Sequence, residues 1–412
     1  MELTNEQEYT VNYNIYQRLL FKFLSNIKLG SLTLIDESIQ KTYGDSNHEI
    51  KAIIYVKQTQ FYKQVFWNGG IGFAESYILD LWETDDLTKL LRIFALNLQQ
   101  VNKIDSSIYG YALRLASNIL HALRRNSLIG ARKNISQHYD LANDFFSLML
   151  DKTMMYSSAK FYTHDCTLEQ ASLHKLQIIC EKLQLKATDH VLEIGSGWGG
   201  FAIYAAQNYN CKITTITISK EQYNYAVNKV KDLNLQDKII ILFQDYRQIT
   251  GVFDKLVSIE MIEAVGHQYL HKYLSICSKL LKPDGIFLLQ AITISEQRYN
   301  SAKNSVDFIK KHIFPGCCIP ALGEIMRFVR SDTDFNVTSI EDLSLDYALT
   351  LAKWRENFLN NIASIMQQGF DQYFIRKWLY YLCYCEAGFY ERSINDLQIV
   401  LVKPGYRDRL TV

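Results

Sequence analysis

Hydrophobic spacing divides the chain into three stretches. In residues 1–104, Tyr13–Leu24 repeats apolar side chains at helical intervals, while Ser31–Ile35 and His48–Val56 alternate like short strands. Phe61–Phe66, a break at Gly69-Gly70-Ile71-Gly72 and Ala74–Trp82 follow. Thr84 reads as the N-cap of a helix with Leu87, Leu90, Leu91, Phe94 and Leu98 on one face. This is the pattern of a small α+β domain, with no catalytic constellation in it. In residues 105–135, Ile108, Tyr111, Leu115, Ile119 and Leu123 share a helical face, and no acid lies between Asp105 and Asp140. Arg114, Arg124, Arg125, Arg132 and Lys133 make that helix basic. The same pattern serves an anionic membrane surface or a linker docked between domains.

Residues 136–412 alternate strands with helices. Strands are predicted at His190–Ile194, Lys212–Ile218, Ile239–Phe243, Lys255–Ile259, Gly285–Ile294 and Leu397–Val402. A βαβ series of this kind predicts an α/β domain built on a parallel, doubly wound sheet.

Composition removes several function classes. The charge is balanced, 44 Lys plus Arg against 43 Asp plus Glu, so the basic excess of a nucleic-acid binder is missing. The eight cysteines form no zinc-type CxxC pair, so no metal is expected, and they read as free thiols of a reducing cytosol. Met1–Asn14 carries Glu2, Glu6 and Glu8 and no apolar core, unlike a signal peptide. No uninterrupted apolar run reaches the roughly 18–20 residues of a membrane span. A cytoplasmic protein, peripheral at most to the membrane's inner face, is expected.

The sharpest chemical signal is Val191-Leu192-Glu193-Ile194-Gly195-Ser196-Gly197-Trp198-Gly199-Gly200, an apolar strand running through a glycine turn into the helix Phe201–Asn208. Its spacing is G-x-G-x-G-G rather than the dinucleotide G-x-G-x-x-G, and Glu193 stands in the strand end. A carboxylate beside such a turn suits a cationic ligand better than a pyrophosphate, and S-adenosylmethionine carries an amino group and a sulfonium. Where dinucleotide folds place an acid about 20 residues on, this chain has Thr217, Ser219 and Gln222, which can hydrogen-bond a ribose. Further on, Gln244-Asp245-Tyr246-Arg247 stands where adenine would lie, Asp245 as an acceptor and Tyr246 as a packing surface.

Several segments together carry a resemblance. They are His138-Tyr139-Asp140-Leu141-Ala142-Asn143-Asp144-Phe145, Tyr156-Ser157-Ser158-Ala159, the glycine turn, Gln244–Arg247, Glu260-Met261-Ile262-Glu263-Ala264-Val265-Gly266, Tyr269–Leu274, His312–Gly316 and Tyr380–Gly388. With Gly69–Leu91 they make the chain resemble the cyclopropane-fatty-acyl-phospholipid synthases and the related mycobacterial mycolic-acid modifying enzymes. The resemblance implies a Rossmann-like class I methyltransferase sheet with helical acyl-binding insertions. It implies methyl transfer from S-adenosylmethionine to the double bond of unsaturated phospholipid acyl chains at an anionic membrane surface; a homodimer is compatible with it. Tyr156, Ser157, Gly195, Gly197, Thr217, Gln222 and Tyr246 match cofactor contacts, with Glu193, Gly199, Ser219, Asp245 and Arg247 beside them. Glu263, Tyr347 and the backbone of Ile292 match groups that hold a bicarbonate ion, the catalytic base. Cys385 matches a cysteine sometimes labelled as the active site. Ser158 replaces a cysteine and Gln290 a histidine at the anion site, which opens the product to a methylene- or methyl-branched chain besides a cyclopropane.

An isolated alkene is a weak nucleophile and must be held in line with the methyl donor. The positive charge left on the chain needs a dry, aromatic lining, and 27 tyrosines with 21 phenylalanines can supply one. Glu263 follows the strand Lys255–Ile259 and is the first candidate to orient a base. Glu260, three residues earlier, would face the same cleft on a helical turn. His138 is a candidate for the site entrance, and Cys385, on an apolar helix with nothing to lower its pKa, reads as packing. An amine N-methyltransferase and a noncatalytic lipid-binding protein are the competing readings.

Overall fold

The computed structural model describes residues 13–37, 39–98, 143–163 and 165–407. The basic stretch 105–135 and His138 lie outside them. The chain forms two compact units, one running to Leu113 and taking in Arg376–Tyr380, the other comprising the remainder.

In the first unit, β1 (Ser31–Asp36), β2 (Ile39–Gly44), β3 (Lys51–Val56) and β4 (Trp82–Thr84) form a sheet in the order β2-β1-β3-β4. Only β1 and β3 run parallel. The helix Ile15–Leu24 starts from a capping box between Asn14 and Gln17. The helix Gln60–Ile78 is kinked at Gly69. Trp82 is fully buried and donates its indole N–H to Ser76 Oγ at 2.9 Å. Thr84 is not the cap of the next helix. It ends β4, and Asp86 caps Leu87–Leu96 by accepting from Lys89 N. The strand needs two more residues to turn before the helix can start, and both acids of Asp85-Asp86 lie in that turn.

The second unit holds β5 (His190–Ile194), β6 (Lys212–Thr217), β7 (Ile239–Phe243), β8 (Phe253–Ile259), β9 (Leu281–Ile294), β10 (Asn336–Asp342) and β11 (Ile394–Val402), in the order β10-β11-β9-β8-β5-β6-β7. The pairs from β9 to β7 are parallel, as the βαβ pattern predicts. The other edge differs from that expectation, since β11 and β10 each join antiparallel. Strand β9 presents Phe287 and Leu289 to the helices Leu270–Lys279 and Leu322–Asp332. Ile286 and Leu288 face the helices Leu168–Lys182 and Gly200–Tyr209 on the opposite side. The chain proceeds from β5 to β6 and β7, then crosses back to place β8 on β5's other side. Ligands bind at the carboxyl edge beside such a reversal, and Gly195 and Glu260 are the residues that emerge there. No helix among the described residues is long and apolar enough to cross a membrane.

Candidate active site

The glycine turn is built for close approach. Gly195, Gly197 and Gly199 have φ of +97°, +49° and +92°, in the left-handed region that glycine enters without cost. Gly195 N and Ser196 N donate to Ile216 O, pinning the turn to β6. A side chain at Gly197 would meet nothing within 4 Å among the described residues, whereas one at Gly200 would meet Thr153 O at 2.6 Å. Gly197 therefore faces the open space a ligand would use, and Gly200 is small for packing. Glu193 is buried and accepts from Thr215 Oγ1 at 2.5 Å. Burial pushes its carboxyl up to about 8.

The other expected cofactor residues occupy the ends of the next strands. Thr217 Oγ1 donates to Gln222 Oε1 at 3.0 Å, and Ser219 caps the helix Lys220–Asp232. After β7, Arg247 grips both oxygens of Asp245 at 2.8 and 2.7 Å. Tyr246 is buried edge-on against Tyr273. Tyr156 and Ser157 come from the segment preceding the helix Leu168–Lys182. Tyr156 shares a hydrogen bond with the Tyr381 hydroxyl at 2.8 Å. Its ring lies 5.2 Å from both Phe146 and Trp354, and Tyr347 continues this aromatic wall, stacked 4.3 Å from Phe389. An open glycine turn, a buried carboxylate and hydroxyl and amide groups at the next strand end fit S-adenosylmethionine.

Beside this turn lies a cluster of carboxyls. Glu260 Oε1 accepts from Ser158 N at 2.8 Å and from Gln290 Nε2 at 2.9 Å, and its Oε2 accepts from the Tyr347 hydroxyl at 2.7 Å. Glu263 Oε1 accepts from Ile292 N at 2.5 Å, while Oε2 is buried without a partner among the described residues. Gln290 also donates to Asp396 Oδ2 at 2.9 Å. Burial and the Glu260 charge push Glu263 up to about 8. Burial, Glu260 and Glu263 hold Asp396 well above the ordinary carboxylate range. Lys175, fully buried, donates to Ser157 Oγ at 2.6 Å, and burial brings it down to about 8.

The orientation of Gln290 is fixed by the helix Leu168–Lys182, which packs on the same face of the sheet. Lys182 has only donors, so the oxygen of Gln398 must face it, at 2.7 Å. The Gln398 amide nitrogen then faces Gln290 Oε1 at 3.1 Å, which aims both Gln290 N–H groups at Glu260 and Asp396. Lys182 is itself paired with Glu341, which also takes Lys160.

Ser158, Gln290 and Tyr347 thus converge on Glu260, while Ile292 N holds Glu263. The donors expected to surround a bicarbonate ion do not enclose an anion site, because Glu260 and Glu263 occupy them. Glu260 and Glu263 do face one region, though not through a shared helical turn. Glu260 has φ +49°, and a single 3-10 turn at Ile262–Ala264 follows. Cys385 sits on the helix Gln372–Tyr390, where burial pushes its thiol up and disfavours the thiolate. Lys175, Asp396 and Gln398 escape the sequence reading. Their signal is a polar residue at an inward position. Lys175 keeps helical spacing with Ala171 and Ile179, and Asp396 and Gln398 share a strand face with Val400.

The family described as mycolic acid cyclopropane synthetase matches residues 126–399. The chain is 37% identical over 359 residues to cyclopropane-fatty-acyl-phospholipid synthase of Escherichia coli strain K12, covering 86% of this chain and 88% of that protein. It is 33% identical over 345 residues to tuberculostearic acid methyltransferase of Mycobacterium tuberculosis, covering 82% and 80%. The structure of a mycolic acid cyclopropane synthase complexed with SAH and CTAB superposes with a TM-score of 0.62 at 28% identity, covering 66% of this chain and 98% of that one. With the glycine turn and the carboxyl cluster both in place on this sheet, the chain belongs to the cyclopropane synthase family of S-adenosylmethionine-dependent methyltransferases.

Proposed function

We propose that the protein methylates the double bond of unsaturated fatty acyl chains in phospholipids, yielding a cyclopropane fatty acid. The observation that carries this reading is the buried carboxyl cluster placed between the glycine turn and an aromatic wall, a combination suited to alkene methylation followed by loss of a proton. When bound, S-adenosylmethionine supplies an electrophilic methyl group. Gly195, Gly197, Gly199, Thr217, Ser219 and Gln222 would hold it, and Tyr156 and Ser157 would close over it. The rings of Phe146, Tyr156, Tyr347 and Trp354 exclude water and present π faces to the positive charge left on the chain. Glu263, neutral at pH 7 and anchored on Ile292 N, adds no second negative charge beside Glu260.

The resemblance also implies a bicarbonate ion as base. Its donors are held by Glu260 and Glu263. The substrate lies in a membrane, so the protein would work at that surface from the cytoplasmic side, with the basic residues of 105–135 meeting anionic headgroups.

Expression in a host rich in monounsaturated phospholipid, but lacking its own synthase, tests the reading. Mass spectrometry should find fatty acids heavier by one CH₂ unit. Mild hydrogenation should leave them unchanged if they are cyclopropanes and saturate them if they carry a methylene branch. Absence of any methylated lipid would refute the proposal.

A further inference from the structure

We infer that Glu260 is this enzyme's own base, its side-chain carboxylate standing where a bicarbonate ion was expected. The inference rests on the function proposed above. Three donors that the resemblance places around the anion, Ser158 N, the Gln290 amide and the Tyr347 hydroxyl, all converge on Glu260 at 2.7–2.9 Å. The remaining pair, Glu263 and Ile292 N, closes on itself.

Three further observations favour a reactive Glu260. A carboxylate offers about four acceptor directions. Oε1 uses both of its own, on Ser158 and Gln290, while Oε2 accepts, among the described residues, only from Tyr347 and keeps one direction for a proton. The residue as a whole is half-buried. Burial raises the pKa of Glu260 and so strengthens its carboxylate as a base, the Lys175 charge and the three donors oppose that rise, and its acidic neighbours Glu263 and Asp396 are themselves held toward the neutral form. Division of labour among neighbouring carboxyls by environment is how one of them becomes a base at neutral pH. The backbone points the same way. A non-glycine residue at φ +49° carries strain of about 1–3 kcal/mol, which tends to gather at functional positions.

The step balances as a proton transfer. After methylation the acyl chain carries one positive charge. Glu260 Oε2 takes a proton from the new methyl, and the C–H electron pair closes the third bond of the ring. If the proton comes instead from a neighbouring chain carbon, the same pair forms a double bond. The carboxyl then releases its proton to water as product leaves.

The test uses the full chain with vesicles of monounsaturated phosphatidylglycerol, in buffer stripped of carbon dioxide or supplemented with bicarbonate. Wild-type turnover should be the same in both. Glu260→Gly, which suits the left-handed backbone and vacates the carboxylate's place, should lose about 10²–10⁴ in turnover and regain part of it, saturably, with bicarbonate. Glu260→Gln should lose as much and regain none, because the amide still fills the place. S-adenosylmethionine affinity, by calorimetry, should stay unchanged in both variants. Loss of wild-type turnover without bicarbonate, or Glu260→Gln turnover within about threefold of wild type, would overturn the inference. If the wild type methylates no lipid, the proposed function fails separately. Calorimetric titration with bicarbonate then decides alone: binding to Glu260→Gly but not to the wild type supports the inference, and binding to the wild type or to neither overturns it.

Discussion

Replacing Lys182 by Met tests whether the helix Leu168–Lys182 orients the site through Gln398. Lys182 makes two polar contacts, to Gln398 Oε1 at 2.7 Å and to Glu341. Glu341 keeps Lys160, so that contact is only partly lost, and a pair this close to the surface is worth under about 1 kcal/mol. The contact to Gln398 is different, since Gln398 and Gln290 are both fully buried. A hydrogen bond to a charged group is worth about 1.5–3 kcal/mol. Recovering the cost of keeping an ammonium partly out of water, which lowers the Lys182 pKa, offsets some of this. The net expectation is a loss of about 2 kcal/mol. For a domain of this size that is a fall in Tm of about 4–8 °C. Urea denaturation and calorimetry measure it. Because the loss arises through Gln398, Lys182→Met should cost about 1–2 kcal/mol less in a Gln398→Leu background. Turnover should also fall in Lys182→Met, since a Gln398 amide free to flip no longer aims the Gln290 N–H groups at Glu260. A cost under about 0.5 kcal/mol, or additivity of the two substitutions within about 0.3 kcal/mol, would refute the orienting role.

Gly197→Ala should keep the fold at a cost of about 1 kcal/mol for its left-handed backbone, since its Cβ meets no atom of the described residues within 4 Å. It should abolish S-adenosylmethionine binding in calorimetry; retained affinity would move the cofactor elsewhere. Glu263→Gln should preserve cofactor affinity and hold turnover within about tenfold, because the amide imitates a neutral carboxyl on Ile292 N. A loss near that of Glu260→Gln would transfer the base role to Glu263. Glu193 has its pKa raised from 4.5 to about 8. The folded state therefore binds a proton that the unfolded chain has released, so this contribution to stability is full below the unfolded pKa and is lost as pH rises through about 8. Glu193→Gln should flatten the decline of stability between about pH 5 and 8 by up to about 1.4 kcal/mol per unit. An unchanged slope in urea titrations would show that the carboxyl ionises freely.

The sequence alone determined the parts of the protein whose reasons are local. β5 and β7 begin and end where the sequence places them, because each is a short apolar run bounded by polar or glycine residues. The glycine turn was legible because left-handed backbone leaves glycine as the ready choice. The resemblance marked Ser158, Glu263, Gln290, Ile292 and Tyr347 as one site. Edge strands β2 and β10 were not legible, since they bury few side chains and carry little hydrophobic pattern. Only the tertiary structure decided that Glu260, rather than an anion, collects Ser158, Gln290 and Tyr347. These groups lie up to 189 positions apart along the chain, and no local rule brings them together. The same holds for Lys175, Asp396 and the Lys182–Gln398–Gln290 relay. Each looks like a misplaced polar residue in its own segment, and becomes a partner only when the sheet sets β9 beside β11 and packs a helix across them.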